Sequence, residues 1–146
     1  MPSAVQSVGR MRGEVAELFT SEFLYDDLEL VVTATSGAIN QQGREFTHAF
    51  EVYFEKATIL FDFAMLGGEP VMTMPLTVLD EKGKVKRPKL GSGDPMDAFE
   101  SEMKAATKAV QSRTPPEFLA GELARDALVL AQKQTQSIER RRAVKV

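Results

Sequence analysis

The feature that most constrains this chain is the separation of its two hydrophobic periods. Alternation of period two runs to about Leu90, and helical spacing begins only at Asp94. Strands followed by helices describe an α+β fold, because a parallel βαβ arrangement needs a helix between successive strands. No segment of helical period interrupts the strands of the first part. The expected architecture is an open-faced, mainly antiparallel β-sheet with helices packed on one face.

The first clear strand is read in LYDDLELVVTAT, where Leu28, Leu30, Val32 and Ala34 alternate with Glu29, Val31, Thr33 and Thr35. After a loop in SGAINQQG, the stretch EFTHAFEVYF places Phe46, His48, Phe50, Val52 and Phe54 on one face. Thr47, Ala49, Glu51 and Tyr53 take the other. TILFDF follows a short link, and LTVLD turns through EKGK into VKRPKL, so both pairs read as antiparallel hairpins. Paired glycines and two prolines mark AMLGGEPVMTMP as loop with at most a short strand.

Asp94 followed by Pro95 is a helix start, since the carboxylate caps free N–H groups and proline suits the first helical position. Phe99, Met103, Ala106 and Val110 then form a stripe expected to be buried, with Phe99 as its anchor. Thr114, Pro115 and Pro116 break this helix. A second helix from about Gly121 sets Leu123, Ala127, Leu130, Gln134 and Ile138 on one side, and the closing ERRRAVKV reads as a solvated basic tail in preference to an anion site.

With 146 residues the chain has the size of one domain, and 43% hydrophobic and 27% charged residues with a mean hydropathy of -0.18 are ordinary for a globular protein. A net charge of -3 and a pI of 5.3 provide no field for a phosphate backbone, so nucleic acid is not an expected partner. The absence of cysteine excludes thiolate metal sites, disulfides and a cysteine nucleophile, and a single histidine excludes multi-histidine metal centres. The opening MPSAVQSVGRMRGEV has no signal-like apolar stretch, and no run reaches the roughly 20 apolar residues of a membrane span. The expected location is cytoplasmic, with no membrane partner.

Few residues suggest chemistry. Gly91, Ser92, Gly93 and Met96 match only the first two glycines of a dinucleotide fingerprint, and Asp94 puts a negative charge where a pyrophosphate would bind. His48 shares its strand face with Phe46, Phe50 and Val52, which favours a partly buried histidine held by one hydrogen bond over a proton-transfer group. Asp26 and Asp27, adjacent on a strand, would point to opposite faces and could not act as an acid/base pair. Glu100 and Glu102 read as a solvated helix surface, and no G-x-S-x-G elbow supports a serine nucleophile.

The order of FTHAFEVYFEKATILFDF, PLTVLDEKGKVKRPKL and DPMDAFESEMKAATKAVQSRTPPEFLAGELARDALVLAQKQTQSI resembles the C-terminal domain of the Gfo/Idh/MocA NAD(P)-dependent oxidoreductases over nearly the whole chain. The resemblance implies that residues 1–146 are a substrate-side and oligomerisation domain. Its parent would act on a sugar-like or polyol-like substrate with NAD or NADP. The family's Rossmann domain and its Glu-Lys-Pro lysine have no counterpart here, because Glu55 and Lys56 precede Ala57, and Glu81 and Lys82 precede Gly83. The family's proton-transfer histidine, in a D-x-x-x-H helix ahead of this domain, is likewise without a counterpart. The chain by itself is therefore expected to carry no catalytic, cofactor-binding or metal residue, with His48 as a substrate-side candidate.

Two helices cover one sheet face, to which alternation assigns Leu28, Leu30, Val32, Phe50 and Val52. Val31, Thr33, Ala49, Tyr53 and Leu60 are left as candidates for a homodimer or higher homo-oligomer interface. The competing reading is a stand-alone, non-enzymatic ligand-binding or dimerisation module of the same fold.

Overall fold

The computed structural model describes residues 1–91, 94, 96–114 and 116–146. The fold is α+β, with two four-stranded sheets in which every described pairing is antiparallel. The chain forms two compact units, Met1–Ile39 with Met103–Val146, and Asn40–Glu102.

The first unit begins with β1 (Ala4–Arg12) and β2 (Val15–Leu24), joined at Gly13, whose positive φ of 61° suits a residue without a Cβ. Sequence reading does not find this hairpin. Its inward positions include Ser7 and Ser21, 3% and 1% exposed, and serines at core positions erase the apolar alternation that marks a strand. The strand expected from Leu24 begins only at Val32, as β3 (Val32–Gly37). Asp27 is the reason: its carboxylate accepts the Glu29 N–H at 3.0 Å and its carbonyl the Leu30 N–H at 3.2 Å, which makes a turn in place of a ladder. Leu28 is consequently 91% exposed rather than covered, and Leu30 is exposed as well.

The second unit is a meander of β4 (Arg44–Phe54), β5 (Ala57–Leu66), β6 (Glu69–Asp80) and β7 (Val85–Lys86). The hairpins expected around Glu55 and Lys56 and around Gly83 are present. The stretch read as loop is instead the end of β5, a turn and the start of β6. Gly67 and Gly68, with φ of 59° and 81°, form a two-residue connection between Leu66 and Glu69, the positive-φ geometry that matches strand twist. Pro75 falls where the β5–β6 register slips between Leu60 and Asp62, a bulge where the missing N–H costs no ladder bond.

At the β6–β7 turn the Asp80 carboxylate accepts the Lys82 and Lys84 N–H groups at 3.1 and 3.0 Å and pairs with Lys86 Nζ at 3.3 Å. The Lys84 N–H chiefly, with help from Lys86 and Lys82, holds the Asp80 carboxyl below its ordinary value of 3.8 against a smaller opposing effect of desolvation. A depressed folded-state pKa means that the carboxylate stabilises the turn above the ordinary value and that this contribution disappears as pH falls through the folded-state pKa. An NMR titration should show the Lys82 and Lys84 amides moving together below the ordinary carboxylate range, and Asp80→Asn should remove that titration.

Helix α1 (Met96–Ser112) starts where expected: Asp94 Oδ1 accepts the Met96 N–H at 2.9 Å. Its stripe does not form core. Phe99, Met103 and Val110 are 60%, 65% and 79% exposed, so the expected anchoring by Phe99 is corrected to a surface position. A 3-10 turn (Glu117–Leu119) precedes α2 (Gly121–Arg140), which packs on β1, β2 and β8 (Val144–Lys145). Ile138 is buried and Gln134 half-buried as expected, whereas Leu123 is exposed.

The closing residues are not a solvated tail. Arg141 takes a left-handed conformation (φ 51°), its N–H bonded to Ile138 O and the Arg142 N–H to Ser137 O, and the chain reverses to lay Val144 beside Val5 on β1. Val5, Ile138 and Val144 are the buried apolar side chains among the described residues. Around them Ser7 N donates to Ser137 Oγ at 2.8 Å, the Ser7 and Ser21 hydroxyls share a 2.6 Å bond, and Gln134 Nε2 donates to Ser21 Oγ at 2.9 Å. A core this polar is tolerated because its hydrogen bonds are made.

Candidate functional site

Residues directly opposite on antiparallel strands share a face, so the pairs His48 with Phe63, Phe50 with Phe61 and Val52 with Ile59 define one face of the β4–β7 sheet. It is aromatic. His48 stacks on Phe61 at 5.0 Å with 29° between planes, lies 5.3 Å from Phe46 and 5.7 Å from Phe63, and Phe50 stacks on Phe61 at 5.4 Å. This surface is open: Phe46, Phe50, Phe54 and Met72 are 54%, 43%, 58% and 50% exposed. Phe50 and Val52 are thus not on a covered face as expected, because no helix of their own unit packs there among the principal contacts between elements.

His48 differs from expectation in its surroundings. It is exposed, and among the described residues no hydrogen bond to its imidazole occurs; rings position it instead. The opposite face carries Ala49 across from Asp62, Glu51 across from Leu60 and Tyr53 across from Thr58. Tyr53 donates its hydroxyl to Glu51, and that hydrogen bond, with the carboxylate's charge and slight desolvation, raises the phenol pKa above 10.0. Of the five interface candidates, Ala49, Tyr53 and Leu60 come together on this mixed face, while Val31 and Thr33 belong to the other unit. Val31 and Tyr53 are 76% and 71% exposed, and Leu60 is half-buried.

The remaining candidates stay apart. Asp26 and Asp27 lie in the β2–β3 connection rather than on a strand, with Asp27 occupied as a turn acceptor. Glu100 and Glu102 are exposed on α1 as expected. Of the glycine-bearing segment before α1, Ser92, Gly93 and Pro95 lie outside the described residues, and the Asp94 carboxylate takes the Met96 N–H at the helix start. Among the described residues no group of three or more His, Asp or Glu side chains is placed to hold a metal ion, and no helix is long and apolar enough to cross a membrane.

Gln6, Ser7, Val8 and Gly9 of β1 line a cleft of about 350 Å3 with Ile138, Arg141 and Arg142. The basic run was visible, but the reversal at Arg141 that brings it beside β1 is a tertiary event.

No family model, no curated protein and no solved structure matches this chain.

Proposed function

We propose that this chain is the substrate-side and assembly domain of an NAD(P)-dependent oxidoreductase of the Gfo/Idh/MocA type, and that it self-associates through the aromatic face of the β4–β7 sheet. The oxidoreductase part rests on the sequence resemblance. The assembly part rests on one observation, the open aromatic face: Phe46, Phe50, Phe54 and Met72 lie exposed on one side of the sheet and supply the apolar centre that an interface needs.

A second copy of the chain is the occupant that suits this face, because a two-fold interface matches one patch to itself and flat aromatic surfaces are self-complementary. His48 sits within the face, packed on rings, and that position favours contact with the second copy over contact with a sugar-like substrate. The residues here do not fit a dinucleotide: the strand pairings are antiparallel, and the start of α1 is capped by a carboxylate. No step of hydride transfer is assigned to any residue of this chain. NAD or NADP would be held by a nucleotide-binding domain of the parent.

Light scattering tests the assembly. The unmodified chain should dimerise, Phe50→Arg should weaken the dimer by about 30-fold or more, as expected for a hot spot worth about 2 kcal/mol, and Tyr53→Arg on the mixed face should have the smaller effect. A monomer at high micromolar concentration, or a larger effect of Tyr53→Arg, would remove the aromatic face from the proposal. Titration calorimetry tests the domain assignment: neither NAD nor NADP should bind the chain, and a micromolar dissociation constant for either would overturn it.

A further inference from the structure

We infer that the cleft between the open edge of β1 and the end of α2 is a docking site for an extended acidic peptide, which adds to the sheet as a short strand. In an antiparallel strand the N–H and C=O of one residue point to the same side, and the side alternates from residue to residue. Ser7 N–H points away from β2, since it donates to Ser137 Oγ. Ser7 and Gly9 lie opposite Ser21 and Phe19 in one continuous register, so the Gly9 N–H and both carbonyls point the same way, toward the free edge.

The chain's own C-terminal strand already uses this edge. Val144 and Lys145 pair with Val5 and Ala4, and the chain reaches them from the end of α2 through Arg141 and Arg142. The edge beyond Val5 is left without a strand among the described residues, and it is there that the cleft opens. Ser7 is 3% exposed and its N–H is taken by Ser137, so the slot offers the Gly9 N–H and carbonyl, a donor and an acceptor that complement peptide backbone, whereas the carbonyl would repel a free phosphate.

Charge sets the composition of the ligand. Arg141 and Arg142 both line the cleft, both are exposed, and among the described residues neither is in an ion pair, unlike Arg10, which lies 2.7 Å from Glu17. A guanidinium binds a carboxylate through two parallel hydrogen bonds, so acidic side chains on the incoming strand would be held where it enters the cleft. Val8, 67% exposed, offers apolar contact to an alternate side chain. The register slip between Arg10 and Met11 ends the regular edge, which limits the added strand to a few residues.

The probe is a short peptide alternating valine and glutamate with blocked ends, titrated into the intact chain while the Gly9 amide is followed by NMR. The Gly9 resonance should shift on binding. Arg141→Gly, which keeps the left-handed backbone, and Arg142→Ala should each weaken binding by about tenfold, the loss expected for one charge-assisted contact. Arg140→Ala, outside the cleft, should not. The same peptide N-methylated on the nitrogens that face the edge should fail to bind. Equal binding of the N-methylated peptide, equal shifts with inorganic phosphate, an unmoved Gly9 amide or unchanged affinity in both arginine variants would each overturn the inference.

Discussion

Ile138→Ala is expected to lower the stability of the unit built from β1, β2, β3, β8 and α2 by about 2–5 kcal/mol, the range for truncating a buried isoleucine. Ile138 is 7% exposed, and with Val5 and Val144 it makes up the buried apolar side chains among the described residues. In a core of this size the neighbours have little freedom to collapse into the space left behind. The surrounding serines cannot fill it, because Ser7, Ser21 and Ser137 are tied to one another and to Gln134 through defined hydrogen bonds. A urea midpoint shift at unchanged slope is the measurement. A loss below about 1 kcal/mol, typical of a surface site, would mean that α2 is not seated on β1 through this residue.

Gly9→Ala is expected to cost about 1–3 kcal/mol or more, the range for forcing an extra carbon into a filled space. A Cβ at Gly9 would lie 2.4 Å from the Phe19 Cβ, 2.6 Å from the Leu18 carbonyl oxygen and 2.8 Å from the Phe19 Cα. Two of these atoms are backbone, so no side-chain rotation relieves the contact and the two strands must part next to the register slip at Arg10. Gly121→Ala is the control. Nothing lies within 4 Å of a Cβ there, and the change should be neutral or raise stability by up to about 1 kcal/mol, because alanine narrows the unfolded ensemble. Equal effects at the two positions would show that the close approach of β1 and β2 is relaxed in solution.

The contrast between these sites marks what can be read from a linear chain. The β4–β5 hairpin was legible because alternation from Phe46 to Phe54 is uninterrupted and its short link is followed by a second apolar run. The capped start of α1 was legible because Asp94 acts within two residues of itself. The first hairpin was not: Ser7 and Ser21 pair across strands and with α2, and a partner more than a hundred residues away leaves no trace in local periodicity. Gly67 and Gly68 mark their stretch as loop by local composition, whereas in the fold they are only the turn between two long strands.

The candidate sites divide in the same way. Which residues share a strand face was settled locally, so His48 with Phe50 and Ala49 with Tyr53 were correctly grouped. Which face is covered was not, since coverage depends on where helices pack, and the helix stripe of Phe99 and Met103 remains exposed. By itself the sequence determined the α+β class, the antiparallel hairpins after residue 40 and the starts of both helices, because turn chemistry, capping and alternation act over a few residues. Only the tertiary structure decided that there are two sheets, that serines line the core beneath α2, and that Arg141 and Arg142 turn back against the free edge of β1. Those outcomes come from contacts between distant segments, whose energies depend on geometry that no local pattern encodes.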